Sequence, residues 1–197
     1  MGDVWWPQCE MNRAADAYAA GRTEAEQHGI AGERATSQAQ RAFVLAFTDP
    51  DQAEDELELA EHLLTGLTLR ATTLTTHTAD LIRSAGTPGP AVEDRASVLR
   101  ADIHTAGVAT THVTLELGLC FHHAVRGDEA AIQAAIARLG DLTQSGDYAY
   151  YIDIAHFMAD LPLPADHAPQ TQWIDGDEST RRRWRGLVTA RRDRIGR

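Results

Sequence analysis

The sequence predicts an all-α protein built from stacked helical hairpins, and three observations lead to this prediction. Apolar and small residues follow a helical period through most of the chain. Turn glycines separated by 37, 41 and 39 residues end helical patterns at Gly29, Gly66, Gly107 and Gly146. A second series of breaks lies between them, at Asp49-Pro50, 86–90, Gly127-Asp128 and Leu161-Pro162. A period of about 35 to 45 residues with two breaks is typical of helical repeats.

The first two hairpins are the clearest in the sequence. The first runs from about Gln8 to Thr48, and its second helix has a helical stripe of apolar and small residues at Ala35, Ala39, Ala42, Phe43 and Ala46. Asp49 suits the N-cap of the next helix and Pro50 its first position. This third helix has an acidic face, and a fourth helix, over about 67–85, is rich in threonine, which lowers helix propensity slightly.

The remaining helices follow the linker at 86–90, which has two glycines and two prolines. We expect a fifth helix before Gly107 and a sixth after it, a seventh capped by Asp128, and an eighth opened by Gly146-Asp147. A last helix is expected from about Asp177 to Ile195. These assignments divide the chain into helical repeats at 1–161, a linker at 162–176 and an Arg-rich capping helix at 177–197.

A column of small residues supports the repeat. The residue 13 positions after each turn glycine is Ala42, Ala79, Cys120 or Ala159. Small residues at one recurrent position of every second helix would let that helix pack closely on the next hairpin. A hairpin cannot bury its apolar face alone, so such units stack and offer a curved surface to a partner.

Composition excludes several classes of protein. The formal net charge of −11 argues against a general nucleic-acid binder, which needs a basic footprint. No apolar run approaches the roughly 18 residues of a membrane span, and no signal peptide is recognisable. Two cysteines outside any CxxC pattern indicate neither a disulfide framework nor a zinc site, so we expect a cytoplasmic protein.

The chain has no catalytic signature, so we expect no enzyme activity. It contains no GxSxG, HExxH or CxxC motif. Histidines on the sixth and eighth helices raise the alternative of a metal or small-ligand site, in which His122 or His123 faces His156. Adjacent histidines point about 100° apart on a helix, so only one of the pair is expected to join, and we predict no metal and no cofactor.

The pattern as a whole resembles the tetratricopeptide-repeat superfamily over roughly residues 8–161. The resemblance is strongest in Ala35, Ala39, Ala42 and Ala46 running into Asp49-Pro50. The units are longer than those of the family, and only the first ends in proline. The resemblance implies a right-handed solenoid of about four antiparallel hairpins, with the first helix of each hairpin lining the concave face.

The segment at 146–164 is similar to the C-terminal part of large actinobacterial proteins described as ATP/GTP-binding. That similarity implies a sensor or scaffold region of a signalling ATPase. The chain itself has no GxxxxGK[ST] motif, and all 18 of its basic residues are arginine.

We therefore expect a non-catalytic interaction module that binds a protein or peptide on its concave face. The candidate contacts are Glu58, Arg100 and Arg138, because each occupies a non-apolar position about two helical turns before the glycine that ends its helical pattern. The candidate aromatic anchor is Tyr150. Two alternatives are open: a small-ligand or metal-binding sensor, and an arginine-tail nucleic-acid binder that uses eight arginines within 181–197. In a third interpretation the basic end pairs with the acidic third helix of the same or another chain, which would allow self-association.

Overall fold

The computed structural model of the protein describes residues 2–144, 148–164 and 173–196. Within these ranges the secondary structure is helical and contains no strand, which confirms the predicted all-α class. A short 3₁₀ helix, Trp6–Gln8, follows α1. The α-helices are α1 Gly2–Trp5, α2 Met11–Gln27, α3 Ala31–Thr48, α4 Pro50–Leu64, α5 Arg70–Arg83, α6 Ala91–Ala106, α7 Ala109–Arg126, α8 Glu129–Leu142, α9 Tyr150–Ala159 and α10 Asp177–Ile195.

The second helix of each predicted hairpin lies at the centre of the molecule. From α2 to α9 each helix packs on the next, and in addition α3 packs on α5, α5 on α7 and α7 on α9. Most of α7 is buried, including Leu115, Leu117, Leu119 and Phe121. The predicted small-residue column lies on these helices: Ala42, Ala79 and Cys120 are fully buried, and Ala159 is half-buried.

Two glycines show how the sequence permits this packing. Gly107 ends α6 with a φ of 68°, a left-handed conformation that glycine adopts without steric cost. Gly118 lies inside α7, where a Cβ atom would come within 2.7 Å of the Ile82 side chain of α5. The missing side chain therefore lets α5 and α7 approach closely.

The boundaries differ from the sequence-based expectation in two places. The fourth predicted helix, expected over about 67–85, corresponds to α5 and is shorter, since α5 spans only Arg70–Arg83. The helix expected to open at Gly146-Asp147 begins at Tyr150, and those two residues lie outside the described ranges. Of the predicted linker at 162–176, residues 165–172 also lie outside them, whereas α10 has the expected bounds.

The N-terminal segment belongs to the core. Trp6 is 4% exposed and packs edge-on against Phe43 of α3 at 5.4 Å between ring centroids. Gln8 is buried, donates to the Val4 carbonyl, and accepts from the backbone N–H of Ile174. Sequence patterning missed this segment because it is too short to show a period.

Helix α10 crosses the molecule instead of contacting the last hairpin alone. It packs on α9, α7 and α3, and its Trp184 is fully buried against Phe47 of α3. Thr180, Val188 and Arg191 are also buried, whereas Ile195 is 46% exposed. The buried face of this helix therefore includes an arginine.

Arginines of α10 bond the C-terminal ends of the second helices. Arg191 donates to the carbonyls of Ala46 and Phe47 in α3 and to the carbonyl of Arg83 in α5. Arg192 donates to the last turn of α7 in the same way. The last four carbonyls of a helix have no partner within the helix and carry the negative end of its dipole. The guanidinium groups satisfy several of these acceptors.

Candidate functional site

A groove runs between α4 and α6, with α5 as its floor. Three adjoining cavities of about 460, 410 and 300 Å³ form it, and His77 of α5 lines all three. Asp102 of α6 is shared by the two larger cavities, and Thr73 of α5 by the two smaller. A shared wall joins the cavities into one open depression along the outer side of α5.

The floor of the groove is mainly apolar, although His77 and Thr73 also lie in it. Leu74, Leu81 and Leu99 contribute to it and belong to the small buried cluster between α5, α6 and α7. Val98 is 66% exposed at the edge of the largest cavity, the most exposed of the large apolar residues. In the sequence, Val98 is an apolar residue outside the buried stripe of Ala96, Leu99 and Ile103. This position was the sequence signal that could have indicated the groove.

The rims of the groove are acidic. Asp94 and Asp102 are exposed on the α6 side, and Glu61 is exposed on the α4 side. Glu58 is exposed on α4 between Glu61 and Glu54, which pairs with Arg83 of α5. Residues at i, i+4 and i+7 share one face of a helix, so Glu58 lies on the α5 side of α4. Glu58 is not among the residues that line the three cavities, so its contact with a partner stays a prediction.

The groove also has basic groups near its rim. Arg95 of α6 pairs with Asp80 of α5, which also binds Arg83, so its charge is largely compensated. Arg70 lies at the far end, at the start of α5. The carboxylates of the walls outnumber the arginines, so the local charge is negative, in line with the charge of the whole chain.

Arg100 and Arg138 meet at one internal carboxylate. Arg100 of α6 donates two hydrogen bonds to Glu116 of α7, at 2.6 and 3.1 Å, and Arg138 of α8 donates one at 2.8 Å. Burial acts to raise the pKa of the Glu116 carboxyl, but the bonds and charges of the two arginines outweigh it and hold the pKa below its ordinary value. The arginines link α6, α7 and α8, and their contact with a partner stays a prediction.

Tyr150 lies in an aromatic cluster and not in the groove. Its ring is half-buried, 4.5 Å from that of Tyr151 and 6.5 Å from that of Trp6. Burial, partly opposed by a hydrogen bond with Tyr151, raises the pKa of Tyr150. Tyr148, which is 38% exposed, is more exposed than this candidate anchor. The cluster lines a pocket of about 350 Å³ near the start of α5, α7 and α9 and the middle of α3.

Both adjacent histidines of α7 approach one carboxylate, which corrects the expectation that only one could join a site. Ligand atoms of His122, His123 and Glu93 lie within 4.8 Å of one another, and His123 Nε2 is 3.0 Å from the Glu93 carboxylate. Within the described ranges no other group of three or more histidine, cysteine or acidic residues shows metal-site spacing, and this one does not include His156. His156 instead has its Nδ1 2.6 Å from the Pro162 carbonyl.

The hydrogen bonding of His122 does not favour a metal. Its Nδ1 accepts a hydrogen bond from the backbone N–H of Gly86 at 3.0 Å. A neutral imidazole that accepts at Nδ1 carries its proton on Nε2, which cannot then ligate an ion. Burial, followed by the charges of His123 and Arg126, lowers the pKa of His122 to about 4, so the ring is neutral at pH 7. His122 therefore fits a structural role, in which its hydrogen bond with Gly86 holds the start of the 86–90 linker.

Most arginines of α10 are engaged within the chain. In addition to Arg191 and Arg192, Arg181 donates to the Leu161 carbonyl and Arg183 to the Gln8 carbonyl. Further ion pairs join Arg185 with Asp160 and Arg194 with Asp49 and Asp51. Nucleic-acid binding by this helix would require several of these bonds to break. Pairing of the basic end with the start of α4, the predicted acidic helix, occurs here within one chain.

The cysteines have the properties of structural residues. Cys120 is fully buried, and burial raises the pKa of its thiol well above the ordinary value. Burial raises the pKa of Cys9 in the same way, although Arg183 opposes it. A thiol that stays protonated is a poor nucleophile, so the geometry gives neither cysteine an activated form.

Comparison with family models, with curated proteins and with solved structures finds no match to this chain. Among the described helices, none combines the length and the apolar character needed to cross a membrane.

Proposed function

We propose that the protein is a non-catalytic interaction module whose partner is a basic amphipathic helix that lies in the groove between α4 and α6. The observation that carries the proposal is the groove itself, a mainly apolar floor bordered by acidic rims. Amphipathic helices commonly bind by laying their apolar face into such a groove. A basic polar face would then meet Asp94, Asp102 and Glu61 at the rims.

The proposal includes a tetratricopeptide-like solenoid of four hairpins. Its support is the succession of contacts from α3 to α5, α7 and α9, together with the small residues buried along it. The walls of the groove belong to α4 and α6, which are first helices of their hairpins, as in the predicted mode of partner binding. A place within a larger signalling ATPase stays a prediction, which the coding sequence that flanks this chain in its gene would test.

The test uses a fluorescent synthetic peptide of about 18 residues, long enough for five helical turns. It carries leucines at i, i+3, i+4 and i+7 and arginines on the opposite face. One control peptide has glutamate in place of arginine, and another has the same composition with the leucine period scrambled. Fluorescence anisotropy should show binding of the first peptide, and binding that weakens with salt.

The variants locate that binding. Asp102→Arg reverses a rim charge, and Val98→Asp places a charge at the apolar edge; each should weaken binding by about tenfold. Glu24→Arg, an exposed charge reversal on α2 away from the groove, is the matched control. Equal binding of the three peptides, or equal loss in Glu24→Arg, would refute the proposal. Asp102 is a cleaner test than Arg100 or Arg138, because changing either arginine also removes an ion-pair partner of the buried Glu116 carboxylate.

A further inference from the structure

A second cavity lies on the other side of α5 from the groove. It has a volume of about 350 Å³ and is bordered by the N-terminal segment, α3, α5, α7 and the start of α9. Ala71 and Thr75 represent α5 in its wall, and neither residue lines the groove. A cavity of this size falls within the range of small-molecule sites. It does not depend on the function proposed for the groove.

One wall of the cavity is aromatic. Trp6, Phe43, Tyr148, Tyr150 and Tyr151 all line it. The ring centroid of Trp6 lies 5.6 Å from that of Tyr151, and the ring centroid of Tyr148 lies 6.1 Å from that of Tyr151. Aromatic ring faces carry partial negative charge and attract cations that have lost part of their hydration shell.

The charged group of the cavity is a carboxylate. Asp3 is exposed at its edge, and one of its oxygens accepts a hydrogen bond of 2.7 Å from the Tyr18 hydroxyl. Among the described residues that line the cavity there is no arginine or histidine. An anionic ligand would therefore find no positive side chain here, whereas a cation would find Asp3 and the aromatic rings.

Tyr148 forms part of the cavity mouth in an uncommon backbone conformation. Its φ is 63°, in the left-handed region that non-glycine residues seldom adopt. The hydroxyls of Tyr148 and Thr110 lie 3.2 Å apart and share a hydrogen bond between the start of α7 and the start of α9. Strained conformations of this kind concentrate at ligand-binding positions.

We propose that this cavity binds a small organic cation with an alkylated ammonium head group. The aromatic wall would contact the alkyl substituents and the charge together, and the Asp3 carboxylate would neutralise the charge from the open edge. Alkylated ammonium needs few hydrogen bonds, which matches a cavity whose polar groups besides Asp3 are mainly hydroxyls. The same head group occurs free or on a trimethylated lysine, so the test separates these sources.

The experiment titrates the whole chain with choline and tetramethylammonium by NMR and by calorimetry. The neutral isostere of choline, 3,3-dimethylbutan-1-ol, has nearly the same shape without the charge. Both cations should bind, and the isostere should bind at least about fivefold more weakly. Equal binding of cation and isostere, or no binding of either cation, would overturn the proposal. Binding of a trimethyl-lysine peptide without binding of free choline would overturn the small-molecule assignment.

Two variants and one control place the site. Asp3→Asn removes the carboxylate charge and Tyr148→Ala removes an exposed ring, and each should weaken choline binding by about fivefold. Asp16→Asn, an equal charge change at an exposed position of α2, should leave binding unchanged. An unchanged melting temperature confirms that each variant is folded. Unaltered choline binding in folded Asp3→Asn and Tyr148→Ala would show that the cation binds elsewhere.

Discussion

The indole nitrogen of Trp184 lies 2.9 Å from the carbonyl oxygen of Pro7 and donates a hydrogen bond to it. Both residues are buried, so the bond joins α10 to the N-terminal segment in the interior. The ring itself packs edge-on against Phe47 at 5.5 Å. The two ends of the described chain therefore share one core.

Replacing Trp184 tests this junction. Trp184→Phe keeps an aromatic ring but leaves the buried Pro7 carbonyl without its donor, which should cost about 1–3 kcal/mol in the free energy of unfolding. Urea denaturation followed by circular dichroism measures it. Trp5→Phe is the control, since Trp5 is half-buried beneath the Arg13 guanidinium, and an equal effect of the two changes would contradict the special role of Trp184.

The contacts of Arg191 predict that lysine cannot replace it. Burial, followed by the charge of Arg194, lowers the pKa of Arg191 to about 10, so the group is still charged at pH 7. The lysine side chain has a single nitrogen, which cannot bond the ends of α3 and α5 together as the two terminal guanidinium nitrogens do. Arg191→Lys should lower the unfolding free energy by about 2 kcal/mol, whereas Arg182→Lys, at an exposed position, should change it little. Equal stability of the two variants would argue against a capping role.

The close approach of α5 and α7 predicts opposite effects for two glycine substitutions. Gly118→Ala would push a methyl group into the Ile82 side chain, so we expect a loss of about 1–2 kcal/mol. Gly140 lies in α8 with nothing within 4 Å of the position of a Cβ atom. Gly140→Ala should stabilise the protein by up to about 1 kcal/mol through helix propensity. Thermal unfolding measures both, and a stabilised Gly118→Ala would refute the predicted contact.

The neutral, buried His122 predicts a loss of stability in mild acid. Its pKa in the folded protein is lowered from 6.5 to about 4. Below pH 6.5 the unfolded chain therefore binds a proton that the folded protein does not, and the unfolding free energy falls as the pH falls toward 4. The contribution of this group should fall by about 2 kcal/mol between pH 8 and pH 5.

His122→Asn isolates that contribution, because an asparagine oxygen can still accept from the Gly86 N–H and does not titrate. Urea titrations at pH 8 and pH 5 should show a smaller pH dependence in this variant than in the wild type. His28→Asn, at an exposed position, should keep the wild-type dependence. If His122→Asn loses as much stability in acid as the wild type does, another group is responsible.

Particular residues show what was predictable. Helix starts at Asp49 and Asp128 are local events, since each side chain caps the helix that follows it. Glu58 was predicted from its position and shares a face of α4 with Glu61, which lines the groove. Val98 and His77 were not, because a groove is made by residues of separate helices that no local period connects. Arg100 and Arg138 were recognised as non-apolar positions, but their common partner Glu116 depends on how α6, α7 and α8 meet.

The sequence by itself determined the helices, their turns and the close packing of the second helices, because capping, helical period and glycine spacing act within a few residues. Only the tertiary structure decided that the N-terminal segment is buried and that α10 crosses the ends of three helices. It also decided that Tyr148, and not Tyr150, is the exposed tyrosine. These outcomes depend on contacts between residues far apart in the chain, where burial and hydrogen bonding outweigh local preference.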